Sequence, residues 1–160
     1  MPDDLRVLNS DEMMAVIELT PLVSIDLVIV NAQNEVLLGM RVNEPARSFW
    51  FVPGGRICKN ETLSVAFQRI SKTELGFPLK ISQGRLMGAY DHIYESNRFG
   101  KSGLTTHYVA LGYLVRIDRD LKPVQDQQHD SFEWRKMDDV VKDDRVHANT
   151  RIYVQELLKT

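Results

Sequence analysis

Between Gly54 and Phe77 the chain passes from a glycine pair and an arginine, through a loop holding Glu61, into a helix-forming stretch that carries Arg69 and Glu74 and stops at Gly76. Glycines let a backbone approach an ion or ligand closely, and their carbonyls are hard oxygen donors. Glu74 stands one helical turn beyond Ile70, near the end of the stretch, so its carboxylate can project toward the same loop. A loop carbonyl and a helix carboxylate make half of a magnesium site. By spacing alone, however, the commoner reading of Glu74 is a surface carboxylate on an amphipathic helix. A second carboxylate, Asp26, interrupts the apolar run Leu22 to Val30, where it is costly unless paired or functional. His129, next to Gln128, has the side chain whose ordinary pKa suits a general base near neutrality. On its own it reads as a solvated loop histidine.

These residues need elements to hold them. Asn9 with Glu12 three residues on is a capping pair, and predicts a short helix over Ser10 to Leu19 that Thr20-Pro21 ends. Leu22 to Val30 is rich in branched residues and reads as a buried strand, returning through the turn residues Asn31 to Glu35 into a strand at Val36 to Met40. Phe49 to Val52 is a short strand that Pro53-Gly54-Gly55 should stop. Asn60 can cap the next helix, which runs to about Leu75 with Leu63, Phe67 and Ile70 on its core face, before Gly76 and Pro78 end it. Leu86 to Tyr94 and Thr105 to Val115 read as strands around a polar loop, Glu95 to Leu104. Phe132 to Trp134 suggests a short edge strand and Asp138 to Val141 a helical turn. Asn149 or Thr150 can cap a final helix reaching Leu158. Strands and helices mix without strict alternation, which predicts an α/β (α+β) fold with a mixed central sheet between helices.

The 160 residues suit a single domain spanning 1–160. A composition 43% hydrophobic and 26% charged is that of a globular protein with a core. The one cysteine, Cys58, excludes an intrachain disulfide and fits a reducing compartment. Met1 to Glu12 has neither the basic start nor the apolar core of a signal peptide, and Leu22 to Val30 is too short and polar to span a membrane. A cytoplasmic protein is expected, with no membrane partner. The net charge is −2 and there is no basic run, so no nucleic-acid partner is expected either, and cations for an anionic ligand must be local.

The stretch from Gly55 to Phe77 resembles the signature box of the Nudix hydrolases, G-x5-E-x7-R-E-U-x-E-E-x-G-U with U aliphatic. Gly55, Glu61, Arg69, Glu74, Gly76 and Phe77 fall on the pattern. Ile70, Ser71 and Thr73 depart from it, and positions 70, 73 and 74 share one helix face. Where an ordinary member gathers several cations with three carboxylates, only Glu74 remains, which favours a single magnesium. Further blocks resemble a GDP-mannose-hydrolysing branch of the family. They are Thr20 to Ser24, Phe49 to Arg56, Thr105 to Tyr108, Gln128 to Asp130 and Val146 to Asn149.

That resemblance implies hydrolysis of GDP-mannose, and of GDP-glucose as a second candidate, to GDP and free sugar by attack at the anomeric carbon with inversion. It implies one magnesium per subunit, on the Gly54 carbonyl, Glu74 and Gln128, and His129 as general base. Arg41, Arg56 and Arg69 would hold the diphosphate, although Arg69 serves equally as a structural ion-pair partner for a carboxylate of the box loop. Asp26, His92 and Tyr108 would line the sugar or leaving-group side, and Val7, Leu8 and Met13 the nucleotide-contacting N-terminal segment of a homodimer. His107 and His147 read as structural. Two rivals stand beside this expectation: a conventional pyrophosphohydrolase cutting between phosphorus atoms, and a nucleotide-binding Nudix domain without catalysis.

Overall fold

The computed structural model describes residues 5–118 and 129–160. Helix α1, Ser10–Leu19, opens with the expected reciprocal cap: Asn9 accepts from the Glu12 backbone N–H, and the Glu12 side chain accepts from that of Asn9. Strand β1, Leu22–Val30, and β2, Glu35–Arg41, form the hairpin, with Asn31 closing the turn through its side chain. There follow β3, Trp50–Phe51; β4, Gly54–Arg56; α2, Leu63–Leu75; a short 3-10 turn at Ile81–Gln83; β5, Gly84–Tyr94; and β6, Thr106–Arg116. The chain ends with β7, His129–Lys136; α3, Met137–Val140; and α4, Ala148–Leu158.

The strands form one mixed sheet. Its main path is β3-β2-β1-β6-β5, with β4 added to β1 and β7 to β2. β1 runs parallel to β6 and antiparallel to β2 and β4. Side chains alternate across a strand, so β1 serves two cores. Ile25, Leu27 and Ile29 face α2 and pack with Phe67 and Ile70, whereas Val28 and Val30 face α3 and α4 and pack with Val140, Tyr153 and Val154. The sheet is thereby sandwiched between helices, as expected. Helix α1 adds a third, smaller cluster in which Met13 and Ile17 meet Leu22 and Leu104. Among the described residues no helix is long and apolar enough to cross a membrane.

Several local expectations are corrected. Gly54-Gly55 does not merely stop a strand but begins β4, pairing Gly54 with Asp26 and Gly55 with Ile25. An added Cβ at Gly54 would lie 2.6 Å from the Ile25 carbonyl oxygen, so the close approach of the two strands requires glycine there. Thr62, not Asn60, caps α2, accepting from the Val65 N–H, while Asn60 sits in the turn before it at φ 68°. Leu63, expected on the core stripe, is exposed because it stands at the first helical position, ahead of the face that meets the sheet. β7 is longer than Phe132 to Trp134, since its polar residues still ladder along β2 from Glu35 to Arg41. His147, not Asn149 or Thr150, caps α4 through its ring nitrogen.

Candidate active site

The open end of the sheet holds a cavity of about 1070 Å³. β1 supplies Asp26, β2 Arg41, β4 Gly54 and Arg56, α2 Arg69 and Glu74, β5 His92 and β6 Tyr108, with Met13 of α1 at one side. Those nine positions were expected from the sequence. Val7 is 90% exposed and does not line it, and Leu8 packs against the α1 cluster instead. Gln128 lies outside the described residues. The backbone of His129 pairs with Arg41 across β2 and β7, after a shift in register beyond Gly39.

Asp26 is buried at 6% exposure. Its Oδ2 accepts a hydrogen bond from the Tyr153 hydroxyl at 2.7 Å, a partner 127 residues away on α4. Burial pushes the Asp26 carboxyl up to about 6, against the opposing pull of that hydrogen bond and of the Arg41 charge. His92 Nδ1 stands 3.7 Å from the same oxygen. Burial, assisted by the nearby His147, depresses His92 to about 4, so near neutrality it is an uncharged ring beside Asp26 and not an ion-pair partner. Tyr90, Tyr94, Tyr153 and Phe51 surround that ring edge-on or tilted. This wall holds one carboxyl near its ionisation point in an aromatic setting, an arrangement suited to moving or sharing a proton near neutral pH.

The loop between β4 and α2 is braced differently. Arg69 Nε donates to Glu61 Oε1 at 2.6 Å, and its terminal nitrogen donates to Glu61 Oε2 at 3.0 Å and to the Arg56 carbonyl at 2.8 Å. Glu61 also accepts from the Cys58 N–H at 2.9 Å. Burial would raise the Glu61 carboxyl, but the bonds from Arg69 and Cys58 and the charge of Arg69 outweigh it and hold the carboxyl below its ordinary value. Of the two readings left open for Arg69, the structural ion pair is the one these contacts describe. The brace sets Arg56 and the glycine pair against the helix end where Glu74 sits, buried at 3% exposure.

The donors at this corner suit a hard divalent cation. A backbone carbonyl at Gly54 and a carboxylate at Glu74 both line the cavity, and both are oxygen ligands of the kind magnesium prefers. On the same helix Thr73 lines the cavity as an alcohol and Ile70 as a hydrocarbon, so α2 offers the corner one carboxylate. Around the whole wall, Arg41, Arg47, Arg56, Arg69 and Arg98 outnumber Asp26, Glu44 and Glu74. An anionic ligand is favoured by that balance. Arg47, Arg98, Tyr94 and Tyr153 escape sequence reasoning: the arginines stand in polar loops like any solvated cation, and the tyrosines read as core.

A mixed sheet between helices thus carries, in a cationic cleft, a braced loop and helix that bring a carboxylate and a glycine pair to one cavity, donors suited to a divalent cation and an anionic ligand. Residues 20–157 match the NUDIX domain, and the chain belongs to the Nudix family of hydrolases. It is 45% identical over 111 residues to the low-salt glycan biosynthesis protein Agl8 of Haloferax volcanii, covering 69% of this chain and 68% of that protein. A MutT NUDIX hydrolase from Burkholderia pseudomallei is similar in structure with a TM-score of 0.69 and 27% identity, over 85% of this chain and 97% of that one. A MutT protein from Methanosarcina mazei shares the fold at a TM-score of 0.68 with 18% identity, over 87% and 94% of the two chains.

Proposed function

We propose that this Nudix hydrolase cleaves a GDP-sugar, GDP-mannose first and GDP-glucose second, into GDP and free sugar, with water attacking the anomeric carbon from the face opposite the leaving oxygen. The observation that carries this reading is the α2 face at the cavity, where Ile70 and Thr73 accompany Glu74. That face lacks the carboxylate cluster that would gather several cations around a phosphorus atom under attack. Similarity to a glycan biosynthesis protein supports a sugar nucleotide over a free nucleotide.

The Gly54 carbonyl, Glu74 and Gln128 would hold one magnesium ion, which when bound supplies charge neutralisation for a departing diphosphate. Arg41 and Arg56 bind the diphosphate from two strands, and their fixed charge matters most as the C–O bond breaks and its electron pair settles on the β-phosphate oxygen. His129 takes the proton of the attacking water. Asp26, near its ionisation point, accepts hydrogen bonds from sugar hydroxyls, with the neutral His92 ring and Tyr108 completing that wall. No acid is needed on the leaving group, since a diphosphate departs as a stable anion. In this reading the chain is one domain of a cytoplasmic homodimer.

Incubation with GDP-mannose and magnesium in oxygen-18 water tests it. GDP and labelled mannose, appearing first as the β-anomer, are expected. GMP with mannose 1-phosphate, labelled on a phosphate, would mean attack at phosphorus and would overturn the reading.

A further inference from the structure

Two loops line the cavity, one through Glu44 and Arg47 and the other through Arg98 and Gly100, and they are tied to each other. Ser96 Oγ, in the loop between β5 and β6, donates to Glu44 Oε2, in the loop between β2 and β3, at 2.9 Å. The β5–β6 loop is itself organised around Asn97, which is buried at 1% exposure. Its amide nitrogen donates to the carbonyls of Lys101 and Leu104 at 2.7 and 2.9 Å. Its amide oxygen accepts from the N–H groups of Phe99 and Lys101, both at 3.1 Å. All four hydrogen bonds open to an asparagine amide are made within this one loop. Thr106 Oγ1 then fastens the loop's entry by donating to the Ser96 carbonyl at 2.8 Å.

The residue that this arrangement presents is Arg98. Its guanidinium lies 5.4 Å from the centre of the Phe99 ring, and Phe99 packs in turn against the α1 cluster. An arginine on a mobile loop is a solvated charge with many rotamers. One on a pinned backbone, with its plane near a ring, has lost much of that freedom already and binds at a smaller entropic cost. Arg98 lines the cavity together with Arg41 and Arg56. The three come from separate elements, β2, β4 and the loop between β5 and β6, and line one cavity with Tyr108. Burial raises the Tyr108 phenol, and the charges of Arg56, Arg41 and Arg98 all oppose that rise. Three guanidiniums lining one cavity suit a ligand with several anionic oxygens.

We propose that Arg98 is a substrate-binding residue, a third guanidinium that joins Arg41 and Arg56 on the diphosphate of the nucleotide and is presented by the Asn97-locked loop. This rests on the reading of the cavity as a nucleoside diphosphate site. Arg98 is exposed, so its replacement should leave the fold intact.

Calorimetric titration of the full chain with GDP and magnesium, and with guanosine as the uncharged probe, tests the assignment in wild type, Arg98→Met and Arg56→Met. Loss of a charge-assisted contact in Arg98→Met should weaken GDP binding about tenfold or more and flatten its salt dependence, leaving guanosine binding and the melting temperature unchanged. Wild-type GDP affinity in Arg98→Met, with clear weakening in Arg56→Met, would overturn the role of Arg98 alone. An equal loss for GDP and guanosine would overturn it too, by moving Arg98 to the base. Wild-type affinity in both variants, or no GDP binding by any protein, would remove the diphosphate reading of the cavity itself, and this assignment with it.

Discussion

Replacing Asp26 by asparagine should make the protein more stable at alkaline pH while impairing it as an enzyme. In the folded chain the Asp26 carboxyl is raised from its ordinary 3.8 to about 6, chiefly by burial. At about 1.4 kcal/mol per pH unit the full difference is worth about 3 kcal/mol. The sign follows from which state ionises first. Below 3.8 both folded and unfolded chains are protonated, and the group carries no penalty. As pH rises the unfolded chain ionises freely while the folded one does not, and stability falls until the folded carboxyl ionises near 6. Beyond that the loss is constant. An amide does not titrate and can still accept the Tyr153 hydroxyl, so the variant lacks this fall. Urea unfolding midpoints at pH 5 and pH 8 should show the gap between variant and wild type widening by roughly 1.4 kcal/mol in the variant's favour. His92, depressed to about 4, stays neutral in the folded state across that window and is common to both proteins. A gap that is constant from pH 5 to pH 8, or that narrows, would refute the argument that burial governs Asp26.

Arg69→Met should strand a buried Glu61 and cost about 3 kcal/mol. That corresponds to roughly 6–12 °C in Tm by thermal denaturation, and a drop below about 2 °C would reduce the brace to a surface pair. Because the folded Glu61 carboxyl is depressed, its contribution holds above its ordinary 4.5 and fades as pH falls through its folded value. His129→Gln should lower turnover far more than it weakens GDP binding, measured by steady-state kinetics beside titration; equal effects on both would end its assignment as base. Glu74→Gln should raise the magnesium concentration that saturates activity, and an unchanged magnesium dependence would take Glu74 out of the ion's ligand set.

What the sequence made legible was what short spacing encodes. The Asn9 and Glu12 cap is an i, i+3 pattern, the stop at Gly76 is a glycine in the left-handed conformation that it takes without a Cβ penalty, here φ 86°, and Asp26 stood out because a carboxylate is improbable in an apolar strand. The partner that defines Asp26 was not legible. Tyr153 is a tyrosine in an amphipathic helix, and nothing local says that its hydroxyl reaches across the core to β1. Asn60 and Thr62 are both capping residue types, and only the backbone decides: asparagine tolerates the left-handed conformation that the preceding turn needs, and threonine takes the cap. Likewise, β7 hides among charged residues because its ladder to β2, rather than its own pattern, makes it a strand. Arg98 drew no notice for a related reason: its place depends on Asn97 and Glu44, which sequence shows only as loop residues.

The two departures from the family's box at positions 70 and 73 are physically unlike, and this bears on how the site came to hold one carboxylate. Thr73 is exposed on the cavity side of α2, so a glutamate there would meet water. Ile70 is 1% exposed, packs with Phe67 and Ile25, and presses on β4 so closely that a Cβ on Gly55 would sit 3.1 Å from it. In this chain position 70 belongs to the core. Ile70→Glu should therefore cost about 3 kcal/mol or more, from lost apolar burial and a carboxyl in a poor setting. Thr73→Glu should stay within about 0.5 kcal/mol of wild type. Denaturant midpoints of the two variants decide it. Equal and small effects would mean that position 70 still has room for a ligand. Unequal effects in the expected order would mean that packing of α2 against β4 keeps the carboxylate cluster from being rebuilt by a single substitution.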